Sequence, residues 1–171
     1  LQKSLDAFLF CCYAGMRYSD FTNLSKKNIV DINQETWLIY KSVKTGTEVR
    51  LPLYLLFAGK GIVILNKYRN NLEDFFRLRD NSNINKDLII IAKLAGLSKK
   101  ISFHTARHTN ATLLIYNGVN ITTVQKLLGH KSVKTTQVYT NIMDMTIVHD
   151  LEKMKQAALG IKKKTDNSFN K

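Results

Sequence analysis

Residues 28–53 read NIVDINQETWLIYKSVKTGTEVRLPL, and this stretch decides the fold class because it interrupts a chain whose other signals are helical. Ile29, Val30, Trp37, Ile39, Tyr40 and Val49 are β-branched or aromatic, the residue types that suit a pleated and half-buried surface. They fall into three runs. A polar break at Asn33 to Glu35 separates the first from the second, and the turn Lys44-Thr45-Gly46-Thr47 separates the second from the third. The expectation is a three-stranded antiparallel meander, closed by Pro52, the single proline.

On the N-terminal side, LQKSLDAFLFCCYAG (residues 1–15) carries Leu5, Phe8, Leu9 and Cys12 at the spacing of one helical face, with Gly15 as its stop. This helix begins at the first residue and resembles neither a signal nor a transit peptide, so the chain reads as an excised piece of a longer protein. A short second helix is expected to about Leu24, capped by Ser19 or Asp20. Beyond Pro52 the pattern predicts helices over 62–68, 86–95, 105–116, 121–128 and 144–158, several of them stopped by a glycine (Gly96, Gly118, Gly129, Gly160). No internal repeat is present. The fold class is therefore α+β, mainly α-helical: one domain over residues 1–160 with a small three-stranded sheet near its start. The tail 161–171, IKKKTDNSFNK, is polar and basic, and is expected to be mobile.

At 171 residues and 44% apolar composition the chain can bury a real core. Its 26 Lys and Arg against 13 Asp and Glu leave a net charge of +13, which favours a polyanionic partner. No apolar run approaches the roughly 18 residues of a membrane span. Cys11 and Cys12 are adjacent in an apolar segment, which fits buried packing and a reducing compartment better than a disulfide.

Chemistry-bearing residues concentrate in four places. In SFHTARHTNATLLIYNG (102–118), His104, Arg107 and His108 share one side of a helix. A zinc helix would need Glu directly after the first histidine, and Thr105 stands there. His108 is expected to hydrogen-bond within the fold. Taken alone, the plainest role for Arg107 is pairing with a carboxylate, yet arginine beside imidazole is also what a phosphate requires: a charged planar fork and a group that exchanges a proton. Arg17, in YAGMRYSDFTNL, lies between two helices with Asp20 in reach of an ion pair. Lys44 sits at the predicted hairpin tip, where a solvated lysine is ordinary. In LLGHKSVKTTQVY (127–139), His130 precedes Tyr139 by nine residues. Only Val133 and Val138 are core candidates there, so Tyr139 could be half-exposed with its hydroxyl outward, although taken alone the plainest role for a tyrosine is packing. A phenol with a free pKa of about 10 is a poor nucleophile unless cations stabilise the developing charge.

Together these four stretches resemble the catalytic domain of the tyrosine recombinase (phage integrase) family from about residue 5 to about residue 150. AGMRYSDF matches the first arginine box at Arg17, VKTGTEVRLPL the hairpin lysine box at Lys44, HTARHT the H-x-x-R-H box, and LLGHKSVKTTQVY the box ending in the nucleophile. Asp20 stands where the family usually has Glu, and Thr105-Ala106 where it usually has Asp-Leu. The resemblance implies that Tyr139 attacks a DNA phosphodiester to form a 3′-phosphotyrosyl bond, with Arg17 and Arg107 on the phosphate oxygens, Lys44 protonating the leaving oxygen, and His104 and His130 hydrogen-bonding the phosphate. It implies no metal, ATP or other cofactor. It implies double-stranded DNA as partner, a cytoplasmic location on DNA, an N-terminal core-binding domain outside this chain, and a tetramer on paired sites joined through the C-terminal helix. Two rivals share parts of this reading: a type IB topoisomerase, which relaxes supercoils by the same chemistry, and a non-catalytic DNA-binding module in which 105–128 is a helix-turn-helix.

Overall fold

The structure, a computed structural model, describes residues 1–139 together with 151, 152 and 154–156. Eight α-helices and three strands follow one another in residues 1–139: α1 (Gln2–Ala14), α2 (Tyr18–Thr22), β1 (Ile29–Ile32), β2 (Glu35–Lys41), β3 (Glu48–Pro52), α3 (Lys60–Lys67), α4 (Leu72–Phe76), α5 (Asn81–Leu94), α6 (Phe103–Tyr116), α7 (Ile121–Leu128) and α8 (Lys134–Gln137). The expected mainly helical α+β fold with one small sheet is what forms.

The sheet is antiparallel in the order β1-β2-β3. Ile32 pairs with Glu35, so the first turn has two central residues, Asn33 (φ 52°) and Gln34 (φ 67°), both in the left-handed conformation that matches strand twist. The second turn uses Gly46 at φ 68°. Side chains alternate across the sheet, and Leu38 and Tyr40 of β2 join Val49 and Leu51 of β3 on the buried face. Pro52 ends the edge strand, where its missing N–H costs no ladder bond.

Helix α1 is the central strut. Ala7, Phe10, Cys11 and Ala14 are buried, with α1 packed against α6, α3 and α5. Both cysteines are free and buried, as expected, and burial pushes their thiols up. Phe21 sits edge-on to Phe10, Phe75 and Phe76, forming an aromatic nucleus against α1.

Three sequence expectations need correction here. Helix α2 is capped by neither Ser19 nor Asp20; Arg17 holds the extended N-cap position (φ −80°, ψ 157°), because the Asp20 carboxylate finds donors outside its own helix. Helix α5 starts at Asn81 rather than 86, since Asp80 caps it by accepting from the Asn83 amide at 3.1 Å. Helix α6 starts at Phe103, where Ser102 and Thr105 form a capping box. That gives Thr105 a defined role, with its hydroxyl accepting from the Ser102 amide at 3.0 Å. Leu151, Glu152 and residues 154–156 are helical; the rest of the expected helix 144–158, and the tail 161–171, lie outside the described residues. No helix among the described residues is long and apolar enough to cross a membrane.

Candidate active site

Gly15 turns the chain out of α1 at φ 69°. A Cβ there would meet Asn110 Oδ1 at 2.6 Å and Leu128 Cδ2 at 2.8 Å, so glycine is needed twice, for its conformation and for the closeness of α6 and α7. Two residues later Arg17 reaches the sheet: its Nη1 lies 3.3 Å from Ser42 Oγ and 3.4 Å from Asp20 Oδ2. Buried Asp20 also accepts from the Val43 amide at 2.8 Å and from Ser42 Oγ at 3.3 Å. The residue expected to support the arginine thus also anchors the base of the hairpin that carries Lys44. Lys44 itself is exposed in the turn. The neighbouring Thr45 hydroxyl donates to the Gly129 carbonyl at 3.2 Å, fixing the turn beside the end of α7.

Arg107 is only 1% exposed. No carboxylate bonds its guanidinium among the described residues. Nη1 donates instead to the Gly15 carbonyl at 2.7 Å and Nη2 to the Leu128 carbonyl at 2.6 Å. One turn on, Asn110 Nδ2 donates to the carbonyls of Cys12 and Tyr13, both at 3.0 Å. Helix ends leave carbonyls without intrahelical partners, and two side chains of α6 supply the donors for α1, one of them serving α7 as well. The loops leading to Arg17 and His130 are consequently tied to one guanidinium.

His130 follows Gly129 (φ 62°), and its backbone is locked on both sides: its amide donates to the Gln125 carbonyl, while Gln125 Nε2 donates to its carbonyl, each at 3.0 Å. Its Nδ1 lies 2.9 Å from the Thr136 hydroxyl, and both residues are buried. Thr136 belongs to the one-turn helix α8, which ends just before Tyr139. Tyr139 is 6% exposed, so of the two readings open for it the packing one holds and the half-exposed one does not. The inversion is local: Val138 faces solvent, and the tyrosine ring packs inward against His108, centroids 5.4 Å apart. His108, expected to hydrogen-bond within the fold, makes no such bond among the described residues. It stands exposed, edge-on to His104 at 4.5 Å, so that His104, His108 and Tyr139 form a ladder of rings.

Arg17 and Arg107 act through charge on His104, His130 and Tyr139, and Lys44 acts on His104. Burial pulls His130 down from 6.5 to about 4, assisted by Arg107 and Arg17. Burial also lowers His104, with His108, Arg107, Arg17 and Lys44 adding to the effect. Both imidazoles are therefore neutral at pH 7. Burial raises the Tyr139 phenol above its ordinary 10, while Arg107 and Arg17 oppose the rise. Arg107 is drawn down to about 10 by burial and then by Arg17, and remains charged. A recess of about 270 Å³ opens between Arg17 and His104, completed by Tyr18, Ser19 and Asn81.

Four stretches far apart in sequence approach one another here, and the Phage integrase family profile matches residues 2–145. This chain belongs to the phage integrase family. Among its relatives, the tyrosine recombinase XerC of Rickettsia prowazekii (strain Madrid E) is 30% identical over 159 residues, covering 88% of this chain and 49% of the relative. XerA of Saccharolobus solfataricus (strain ATCC 35092 / DSM 1617 / JCM 11322 / P2) is 34% identical over 134 residues, covering 75% of this chain and 42% of the relative. Of solved structures, the XerA recombinase matches with a TM-score of 0.67 and 25% identity over 90% of this chain and 63% of that one. The XerH site-specific recombinase bound to a palindromic difH substrate has the same fold, with a TM-score of 0.64 and 21% identity over 91% of this chain and 46% of that one. The chain spans about half the length of the curated relatives it matches. Within the phage integrase family the sequence flags the motif residues; Ser42, Thr136 and the ring contact of His108 come to light only in three dimensions.

Proposed function

We propose that residues 1–160 form the catalytic domain of a site-specific DNA recombinase that cleaves and rejoins strands through a 3′-phosphotyrosyl intermediate. The observation that carries this reading is that buried Arg107 bonds the carbonyls of Gly15 and Leu128, two residues before Arg17 and His130 respectively, so that both arginines bear on Tyr139, His104 and His130. Two permanent cations stabilise charge that grows on a phosphate in its pentavalent transition state, and they need neither metal nor nucleotide to do so. Tyr139 Oη attacks phosphorus, the bond from phosphorus to the 5′ oxygen breaks, His104 takes the phenol proton, and Lys44 gives a proton to the departing oxygen. His130, held neutral and oriented by Thr136, hydrogen-bonds the phosphate. One ester replaces another, so a 5′-hydroxyl of a second strand reverses the step.

The net charge of +13 supports double-stranded DNA as the partner. In the whole protein, an N-terminal core-binding domain would complete the grip on DNA, and a tetramer joined through the C-terminal helix would pair two sites. The deciding experiment is covalent trapping on a nicked suicide duplex in excess EDTA. Wild type should form a denaturant-resistant adduct and Tyr139→Phe none. Absence of any adduct, or an adduct surviving in Tyr139→Phe, would reject the reading and favour the non-catalytic module or another nucleophile.

A further inference from the structure

Lys44 is exposed and makes no hydrogen bond or ion pair among the described residues, yet a general acid has to be held within reach of the oxygen it protonates. The base of its hairpin is fixed, with Ser42 and the Val43 amide both donating to Asp20. The turn then closes on itself: the Ser42 amide donates to the Thr47 carbonyl at 2.9 Å, and the Gly46 amide to the Ser42 carbonyl at 2.8 Å. These bonds shape the turn but leave its tip to hinge about that base. Among the described residues, one hydrogen bond ties positions 44–47 to anything outside the hairpin. The Thr45 hydroxyl donates to the Gly129 carbonyl at 3.2 Å, across 84 residues of chain. The same hydroxyl oxygen accepts from the Thr47 amide at 3.4 Å, so the turn and its tether share an atom.

The anchor is rigid. Gly129 ends α7 at φ 62°, with its amide donating to the Lys126 carbonyl at 3.0 Å, and it lies against Val49 so closely that a Cβ would fall 2.6 Å from that side chain. Carbonyls at the end of a helix lack intrahelical partners, and α7 presents two in succession. Leu128 accepts from Arg107, and Gly129 accepts from the turn that carries Lys44. We propose that Thr45 is the positioning residue for Lys44: its hydroxyl hangs the lysine turn from the Gly129 carbonyl and so holds the ammonium beside the leaving oxygen. This rests on the function proposed above, in which Lys44 gives its proton to the departing 5′ oxygen. Thr45 itself touches neither substrate nor nucleophile.

The test pairs two variants of the intact protein: Thr45→Val, which keeps the β-branched shape and drops the hydroxyl, and Thr45→Ser, which keeps the hydroxyl. Single-turnover rates of adduct formation are read on two suicide duplexes, one normal and one with sulfur at the 5′-bridging position, whose leaving group needs no proton. Thr45→Val should be about fivefold slower on the oxygen duplex, the worth of one neutral hydrogen bond, and should run at the wild-type rate on the sulfur duplex. Thr45→Ser should match wild type on both. In a Lys44→Ala background Thr45→Val should cost nothing further, and alone it should move the melting temperature by no more than about 3 °C. Equal slowing on both duplexes would assign Thr45 to the fold or to DNA binding and overturn the proposal. So would an undiminished rate in Thr45→Val, because the turn would then be held without the tether. If wild type forms the adduct but sulfur does not rescue Lys44→Ala, the lysine is not the acid, and this inference falls while the recombinase reading stands. A wild type that forms no adduct removes the proposed function first, and this inference with it.

Discussion

Replacing Arg107 by alanine tests whether the residue belongs to the fold as much as to the phosphate site. The guanidinium makes two charged hydrogen bonds to buried carbonyls, Gly15 at 2.7 Å and Leu128 at 2.6 Å. Each such bond is worth about 1.5–3 kcal/mol, and each carbonyl left bare costs about 1–3 kcal/mol. Against this stands the relief of unburying a cation. The fall from 12.5 to about 10 corresponds to about 3 kcal/mol at 1.36 kcal/mol per pKa unit. These terms leave a net loss of about 2–9 kcal/mol; because a bond's worth and the cost of baring its acceptor overlap, the lower end applies, about 3 kcal/mol, in line with breaking a buried charged contact from one side. With a urea slope of about 2 kcal/mol/M, the unfolding midpoint should drop by about 1.5 M. Arg107→Lys keeps the charge but reaches one carbonyl, so its midpoint should lie between the two. Urea titrations at pH 7, followed by far-ultraviolet circular dichroism, decide the matter. A midpoint for Arg107→Ala within about 0.3 M of wild type would show that helix ends α1 and α7 hold themselves, and would refute the reasoning.

Gly129→Ala should destabilise by about 2 kcal/mol, because the new Cβ falls 2.6 Å from Val49 Cγ2 at a φ of 62°; Val49→Ala in the same chain should recover the steric share, as read from melting temperatures. His130 has its pKa depressed from 6.5 to about 4, so the unfolded chain binds its proton first on acidification. Stability should hold above pH 6.5 and decline as pH falls towards 4, and His130→Asn should flatten that part of a urea-midpoint profile. Lys44→Ala should cleave poorly on normal DNA yet regain rate on a substrate with sulfur at the 5′-bridging position, whose leaving group needs no proton; equal impairment on both would assign Lys44 to binding alone.

Much of this architecture was legible because its signals are local. The hairpin announced itself through β-branched runs around polar breaks, and Gly15, Gly96, Gly118 and Gly129 marked helix ends because each holds a positive φ. Helix α4 escaped notice: five residues give no period, and Phe75 and Phe76, which fill the aromatic nucleus, fall between the expected helices 62–68 and 86–95. The start of α5 was misplaced because its first turn, Asn81-Ser82-Asn83, is polar and shows only a cap. At the site, the four motifs named six positions, but the partners of Arg107 stand 92 and 21 residues away, a distance no spacing rule spans. For Tyr139 the sequence left packing and half-exposure both open because Val133 and Val138 looked like the core, and the chain turned Val138 out and the ring in.

The brevity of α8 has a consequence for how the nucleophile is held. A helix of four residues does not survive on its own hydrogen bonds, since nucleating a turn costs more than so few bonds return. Its shape is borrowed from Thr136 against His130 and from the Tyr139 ring against His108. The tyrosine is therefore docked rather than built in, and it can leave its seat at a free energy well below that of global unfolding. Amide protons of residues 134–139 should exchange with solvent long before those of α6, and the working temperature of the protein would follow this latch, not the melting of the core.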